Sequence, residues 1–325
     1  MPEPTGLIFA RLLDGGGARP LDAAGVARWR AADGPLWVHL DRNAPGVRAW
    51  LERDAGIDPE VVDALLEEQT RPRIMPHGGG LMVNLRGVNL NPGADPEDMV
   101  SARMWIDAER VITLRGPRLL AGDDVAAELD AGRGPTTPGG LLAALAETLV
   151  TRMRPVLGGI EDELDAREEA LSDDSVPDPS AAGISAERRR IIALRRYLAP
   201  QRDAMVELCA VEADWLGAAP RRSLRETTNH VTRYVEDLDA ARERGSVMHE
   251  EVTERLSIRM NRIMYVLSLV ATIFLPLSFL TGLLGINVGG IPGTDVAWAF
   301  LAVCVALALL LALELLLFRR WHWLE

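Results

Sequence analysis

The sequence predicts an α+β soluble domain, then a long stalk helix, then two C-terminal transmembrane α-helices. Three observations carry this. The chain has 325 residues and a net charge of −12, yet beyond Met260 the only charged residues are Arg262, Asp295, Glu314, Arg319, Arg320 and Glu325, which cancel. Two apolar runs, 263–286 and 296–318, fill that C-terminal part, the second broken only by Glu314. Ahead of them, strand and helix signals alternate to about residue 115, after which the pattern is helical almost without interruption.

The first part, 1–138, reads as a mixed α/β domain. Strands are expected at 6–13, 36–41, 80–90 and 102–115, the last a hairpin turning at Ala108 and Glu109. Helices are expected at 45–55 and 59–69, the second with Asp58 as cap and Pro59 in its first turn. Residues 133–140, rich in Gly, Pro and Thr, read as a linker. The region 139–222 reads as two antiparallel helices, 141–171 and 184–216, joined by a turn at 172–183. The next helix starts near Ser223 and meets no strong breaker before Pro276, so the stalk (223–262) and the first span (263–286) are one helix. At about 60 residues it would extend some 90 Å.

The run 263–286 is long enough, at about 1.5 Å per residue, to cross a hydrocarbon core of roughly 30 Å. Arg259 and Arg262 precede it, and Arg319 and Arg320 open the basic and aromatic tail 319–325; the loop 287–295 carries no basic residue. The positive-inside rule then places both termini in the cytoplasm and the loop outside, with Trp298, Trp321 and Trp323 at interface depth. The N-terminus has neither a basic stretch nor a long apolar one, so no signal peptide is expected.

Two helices cannot enclose a hydrophilic path, so a transporter of this design must oligomerise. Asn261, Met264, Ser268, Ala271, Leu275, Ser278, Gly282 and Gly285, spaced three and four apart, make one small and semi-polar seam. Ile263, Val266, Val270, Ile273, Leu277 and Leu280 make the opposite, apolar side. Such a seam suits a pore-lining helix in a symmetric assembly, and it equally suits helix packing through small residues. The second span has no comparable face. Glu314 is an intramembrane carboxylate; its place near Arg319 and Arg320 favours snorkelling or pairing over an ion-pathway role. The acidic run Glu161, Asp162, Glu163, Asp165, Glu168, Glu169, Asp173 and Asp174 either concentrates cations or is a solvated helix tip.

Enzyme chemistry is missing. All 35 basic residues are Arg, which excludes P-loop and Schiff-base lysines. An acidic chain with no basic stripe is a poor nucleic-acid binder. Cys209 and Cys304 form no CxxC motif, and His39, His77, His230, His249 and His322 show no zinc-site spacing; no resident cofactor is expected. His249 starts a zincin-like stretch that lacks the second His.

The stretch Ala271-Thr-Ile-Phe-Leu-Pro-Leu-Ser-Phe-Leu-Thr-Gly-Leu-Leu-Gly-Ile-Asn287 resembles the signature of the CorA superfamily of divalent-cation transporters, whose first span ends in Gly-Met-Asn. Here the triplet is Gly285-Ile286-Asn287, and the following Val288-Gly-Gly-Ile-Pro-Gly293 resembles the ZntB branch, associated with zinc. Glu68-Gln-Thr-Arg-Pro-Arg73 and the segment from Asn84 to Ser101 resemble ZntB segments that CorA proper lacks. The resemblance runs from about Gly6 to the C-terminus.

It implies a homopentamer in the inner membrane: five first spans lining a pore, five second spans ringing it, and a cytoplasmic funnel of αβα domains. By that resemblance Gly285, Ile286 and Asn287 form the outer mouth, where five Asn287 carboxamides would meet the water shell of a divalent ion. Gly285 would let the helix end turn so that these amides point inward. Asn261, Met264, Ser268, Ala271, Leu275, Ser278 and Gly282 match pore-lining positions, with Leu275 and Met264 as apolar constrictions. The loop stays neutral until Asp295 where CorA loops usually carry an acid, which fits zinc. The expected cargo is therefore Zn2+, with proton coupling open. The alternatives are a CorA-like Mg2+ channel and, from another class, a membrane-anchored sensor or scaffold. Glu250 and Glu254 share the seam's heptad phase and would face the funnel, or else form a solvated face.

Overall fold

The computed structural model describes residues 4, 6–173, 179–286, 291, 293 and 296–320. The chain divides into two compact units, Met1–Glu250 and Glu251–Glu325.

In chain order, the first unit opens with β1 (Leu7–Asp14), β2 (Gly17–Leu21), α1 (Ala23–Arg28), β3 (Leu36–Asp41), α2 (Val47–Ala49), α3 (Pro59–Leu66), β4 (Arg73–His77), β5 (Gly80–Gly87), β6 (Val100–Ile106) and β7 (Arg110–Arg115). Then follow α4 (Leu120–Asp130), α5 (Pro138–Thr151), α6 (Arg154–Ser172), α7 (Ala181–Ala210) and the first part of α8 (Ala218–Leu284). The strands form one mixed sheet in the order β2-β1-β3-β7-β6-β5-β4, parallel only between β3 and β7. Both edge strands contain a proline, Pro20 and Pro76, which withholds a donor from any further strand.

Strand alternation sends residues to two cores. Trp37, Leu81, Val83, Leu85, Met104 and Val111 pack with Val125, Leu142, Leu145, Met205 and Leu224 from α4, α5, α7 and α8. Leu36, Val38, Leu40, Met82, Trp105 and Ile112 pack on the other face with Val26, Trp50, Leu51, Val61 and Leu65. The unit is thus an αβα sandwich, covered on both faces, which is why its strands read as nearly continuous apolar runs.

Several expected boundaries move, each for a physical reason. Residues 45–55 are not one α-helix: Gly46 is left-handed at φ 87°, α2 is one short turn, and Trp50–Asp54 widens into a π-turn that buries Trp50 and Leu51. The expected helix 141–171 is two helices. Pro155 stands one residue into α6, and its ring cannot follow the carbonyl of Thr151 in a continuous helix. α5 also starts earlier than expected, inside the expected linker, with the Thr137 side chain accepting from the Gly140 amide and Pro138 at the first position. α7 ends at Ala210 rather than at 216; Arg221 donates to the carbonyls of Val211, Ala213 and Leu216 and holds that connection as a loop. β2, α1, β4 and α4 are additional to the sequence expectation. At the β6–β7 turn the Asp107 carboxylate accepts from the amides of Glu109 and Arg110.

The second unit holds the remainder of α8, which ends at Leu284, and α9 (Ala299–Arg320).

Candidate functional site

Both helices are long and apolar enough to cross a membrane, and the apolar part of each lies wholly unburied within the chain. Leu267 and Leu275 are each 68% exposed and Phe279 is 69% exposed, more apolar surface than water tolerates on one helix.

Asn261, Met264, Ser268, Ala271, Leu275, Ser278 and Gly282 all lie on α8, one or two per turn along one side. The polar side chains of this stretch fall into two sets. Thr272 donates its hydroxyl to the Ser268 carbonyl at 2.8 Å, and Thr281 donates to the carbonyls of Leu277 and Ser278 at 3.0 and 3.1 Å. These threonines lie off the seam and satisfy themselves on their own helix, as lipid demands. On the seam, Asn261, Ser268 and Ser278 are exposed, and among the described residues their side chains have no hydrogen-bond partner. An unpaired hydroxyl or amide facing hydrocarbon costs roughly 2–7 kcal/mol, so these groups require water, an ion or another copy of the chain.

Gly282 has open space where a side chain would begin. Gly285 follows the helix, its amide bonded to Thr281 O at 3.0 Å and to Gly282 O at 3.2 Å. It does not use the left-handed conformation expected of a turning glycine; instead a Cβ there would press to 3.1 Å from the Thr281 carbonyl. Ile286 comes next, and Asn287 and Asp295 lie outside the described residues, as do Trp321, His322, Trp323 and Asp174. Glu250 closes the first unit; Glu254 belongs to the second. On α9, one carboxylate oxygen of Glu314, for which the sequence favours snorkelling or pairing, is buried with no hydrogen-bond partner among the described residues.

Three carboxylates of the acidic run on α6 are occupied. Arg244 donates to both oxygens of Glu168, at 2.9 and 2.6 Å, and to Asp165, while Glu163 sits beside Arg167 and Arg190. Glu161, Asp162 and Glu169 lie on the exposed side of α6. Among the described residues no three His, Cys, Asp or Glu side chains are grouped to hold a metal. His39 is buried, stacked on Phe9 with Nδ1 2.7 Å from the Thr113 hydroxyl.

The sequence reading missed a buried polar clasp. The Glu67–Arg73 connection has its carbonyls held from the sheet. Arg103 donates to Leu65, Glu67 and Glu68, Arg86 to Thr70 at 2.6 Å, Asn84 to Arg71 at 2.8 Å, and Arg42 to Glu67 at 3.0 Å. Asn84 also donates to the Thr70 hydroxyl. Burial, with Arg42 and Arg86 nearby, pushes the Arg103 pKa down to about 10. The signal was an Arg and an Asn among apolar strand residues, which a pure periodicity reading treats as noise. The two long motifs that resemble ZntB therefore meet in one structure, Asn84 and Arg86 of the second holding the backbone of the first.

The fold and this seam define a class: a two-span membrane protein whose large αβα unit precedes the spans and whose first span carries one unsatisfied polar face. A family model described as "CorA-like Mg2+ transporter protein" matches residues 32–320, and the chain belongs to that family. It is 44% identical over 325 residues to the Divalent cation transporter CmaX of Pseudomonas aeruginosa, covering 99% of this chain and 98% of that protein. It is 34% identical over 323 residues to the Zinc transport protein ZntB of Pectobacterium carotovorum, covering 99% and 97%. The structure of full-length CmaX superposes with a TM-score of 0.87 at 43% identity, covering 99% of each chain. The CorA magnesium transporter of Methanocaldococcus jannaschii shares the fold, with a TM-score of 0.76 at 19% identity over 96% of this chain and 97% of that one.

Proposed function

We propose that this chain is a divalent-cation transporter of CorA/ZntB type that works as a homopentamer in the inner membrane, with both termini cytoplasmic and Zn2+ as the preferred cargo. The carrying observation is the pair of polar sets on α8: off-seam threonines bonded to their own helix, and on-seam Asn261, Ser268 and Ser278 without side-chain partners among the described residues. A simple anchor has no use for that asymmetry. Five copies around an axis would turn the seam inward, where water and hydrated ions satisfy it. Met264 and Leu275 would then be the narrow apolar rings, and Gly282 would keep the bore wide. Gly285, Ile286 and Asn287 would form the mouth, with Asn287 meeting the ion through its water shell. Glu250 and Glu254 would face the funnel.

Zinc is supported by the relatives named as zinc transport proteins. Magnesium is the second reading: no thiol or imidazole stands among the seam residues, and neutral oxygens suit a hard hydrated ion as well as a borderline one. Uptake of Zn2+ and Mg2+ into vesicles containing the purified protein, with and without an inward proton gradient, tests the choice. Zinc flux exceeding magnesium flux supports the reading, and a response to the gradient adds proton coupling. Magnesium flux alone overturns the cargo. Asn287→Ala is expected to cut flux at least tenfold with the oligomer intact; unchanged flux would remove Asn287 from the mouth.

A further inference from the structure

In the second unit, some basic side chains beside the two apolar spans are not used by the chain's own fold. Arg255 is paired with Glu251 at 2.6 Å, and Arg259 is engaged as well. Arg262 of α8 and Arg319 and Arg320 of α9 differ. All three are exposed, and among the described residues their side chains have no hydrogen-bond or ion-pair partner. Glu314 is badly placed to supply one along its own helix. Arg319 and Arg320 follow it by five and six residues, which turns them about 140° and 120° away from it.

The helix rise puts the three at a common depth. From Leu284, at the end of α8, back to Arg262 is about 33 Å; from Ala299, at the start of α9, to Arg319 and Arg320 is about 30 and 32 Å. A hydrocarbon core is roughly 30 Å thick, so each guanidinium emerges among the headgroups of one leaflet. The connection 285–298 holds no Arg, so the other leaflet meets nothing comparable. Further copies of the spans do not supply the counter-charge. Between Arg255 and Arg320 the described residues include one carboxylate, Glu314, and it lies about 8 Å to the hydrocarbon side of Arg319. A phospholipid supplies it at the right depth, since the free oxygens of a phosphodiester match the fork of a guanidinium. A zwitterionic headgroup brings its own ammonium and offsets that attraction, whereas a net-negative headgroup does not.

We propose that Arg262, Arg319 and Arg320 form a binding surface for anionic phospholipid headgroups of the cytoplasmic leaflet; this rests on the reading of α8 and α9 as membrane spans with cytoplasmic termini. Each arginine near an anionic surface is worth roughly fivefold in partition, so three together should favour a net-negative headgroup by at least about tenfold. Salt screens the preference.

The test is native mass spectrometry of the purified full-length protein, incubated with equal amounts of phosphatidylglycerol and phosphatidylcholine carrying the same acyl chains. The wild type should retain phosphatidylglycerol at least about tenfold over phosphatidylcholine, and the preference should shrink as ionic strength rises. That salt series requires no variant. The triple variant Arg262→Gln, Arg319→Gln, Arg320→Gln should hold the two lipids equally, while Arg118→Gln, in the first unit, should keep the preference. Inorganic phosphate in excess should leave the bound lipid in place. Equal retention by the wild type, or an undiminished preference in the triple variant, would overturn the proposal. Displacement of the lipid by phosphate would overturn it too, by making the site one for a free anion. Cation flux in vesicles is read separately: flux without a lipid preference overturns this surface alone, and a lipid preference without flux supports the surface and overturns the transport reading.

Discussion

Replacing Arg103 by Met should destabilise the first unit severely without changing ion flow per assembled protein. Arg103 is 3% exposed, and its guanidinium is the donor for the carbonyls of Leu65, Glu67 and Glu68 at the end of α3. Met retains most of the stem volume and removes every donor. Each buried carbonyl left unpaired costs about 1–3 kcal/mol. Arg103 itself carries a desolvation cost, visible in its pKa of about 10, and the substitution recovers part of it. The Glu67 carbonyl keeps its bond from Arg42, so two carbonyls lose their donor and the net loss is about 2–4 kcal/mol. For a unit of this size that lowers the unfolding midpoint by roughly 10 °C. The assay is thermal unfolding of the purified full-length variant beside vesicle flux normalised to inserted protein. Unchanged melting would refute the clasp. Unchanged melting with lost flux would further mean that the 67–73 connection acts on the ion pathway and not on the fold.

Other outcomes follow from the same geometry. Ser278→Ala should lower cation flux severalfold while Thr272→Val leaves it within error, because only the first hydroxyl is free of its own helix; equal effects in the vesicle assay would undo the seam. Gly80→Ala should cost about 1–3 kcal/mol, since a Cβ there overlaps the rigid indole of Trp105, and a melting curve reads it directly. His39 is held to a pKa of about 4 by burial, then by Arg115. Between about pH 6.5 and 4 the unfolded chain therefore binds the extra proton, and stability that is complete above that window should fall by about 3 kcal/mol as pH drops through it. His39→Gln should flatten this acid limb in pH-dependent melting.

The sequence carried the elements whose signals are local. β3, with five consecutive buried residues, and α3, with Asp58 and Pro59 at its start, stand where periodicity and capping put them. The β6–β7 hairpin does too, because Asp107 closes the turn with its own side chain. Elements set by tertiary contacts were not legible. β4 contains Pro76 and two polar residues, Arg73 and His77, in five positions; it is a strand because β5 supplies the partner. α4 begins at Leu120 with no side-chain cap, and its helical signal is short. The seam was legible because membrane burial makes every polar residue on an apolar helix conspicuous. Its division from Thr272 and Thr281 was not, because back-bonding to a carbonyl depends on the rotamer rather than on spacing.

That division bears on where selectivity has to be sought. The motifs that point most specifically toward ZntB, Glu68–Arg73 and the segment opening at Asn84, are joined to each other by Arg86 and Asn84 and are spent on holding backbone carbonyls inside the αβα unit. A donor committed to a backbone carbonyl of its own fold cannot also choose between two ions. Likeness in those motifs therefore reports a common way of building the unit and carries no weight for zinc over magnesium. On the proposed pore, the groups left to discriminate are Asn261, Ser268 and Ser278 of α8, whose side chains have no partner among the described residues, with the loop beyond Ile286. Exchanging Glu68–Arg73 for a CorA-like sequence should alter stability and leave the Zn2+ to Mg2+ flux ratio in place. Placing an acidic residue in the neutral loop just after Asn287 should move that ratio toward Mg2+, since in the proposed pentamer it would make a fivefold negative ring that raises the local concentration of a strongly hydrated cation. A ratio that follows the first exchange and ignores the second would put selectivity in the αβα unit and reverse the argument.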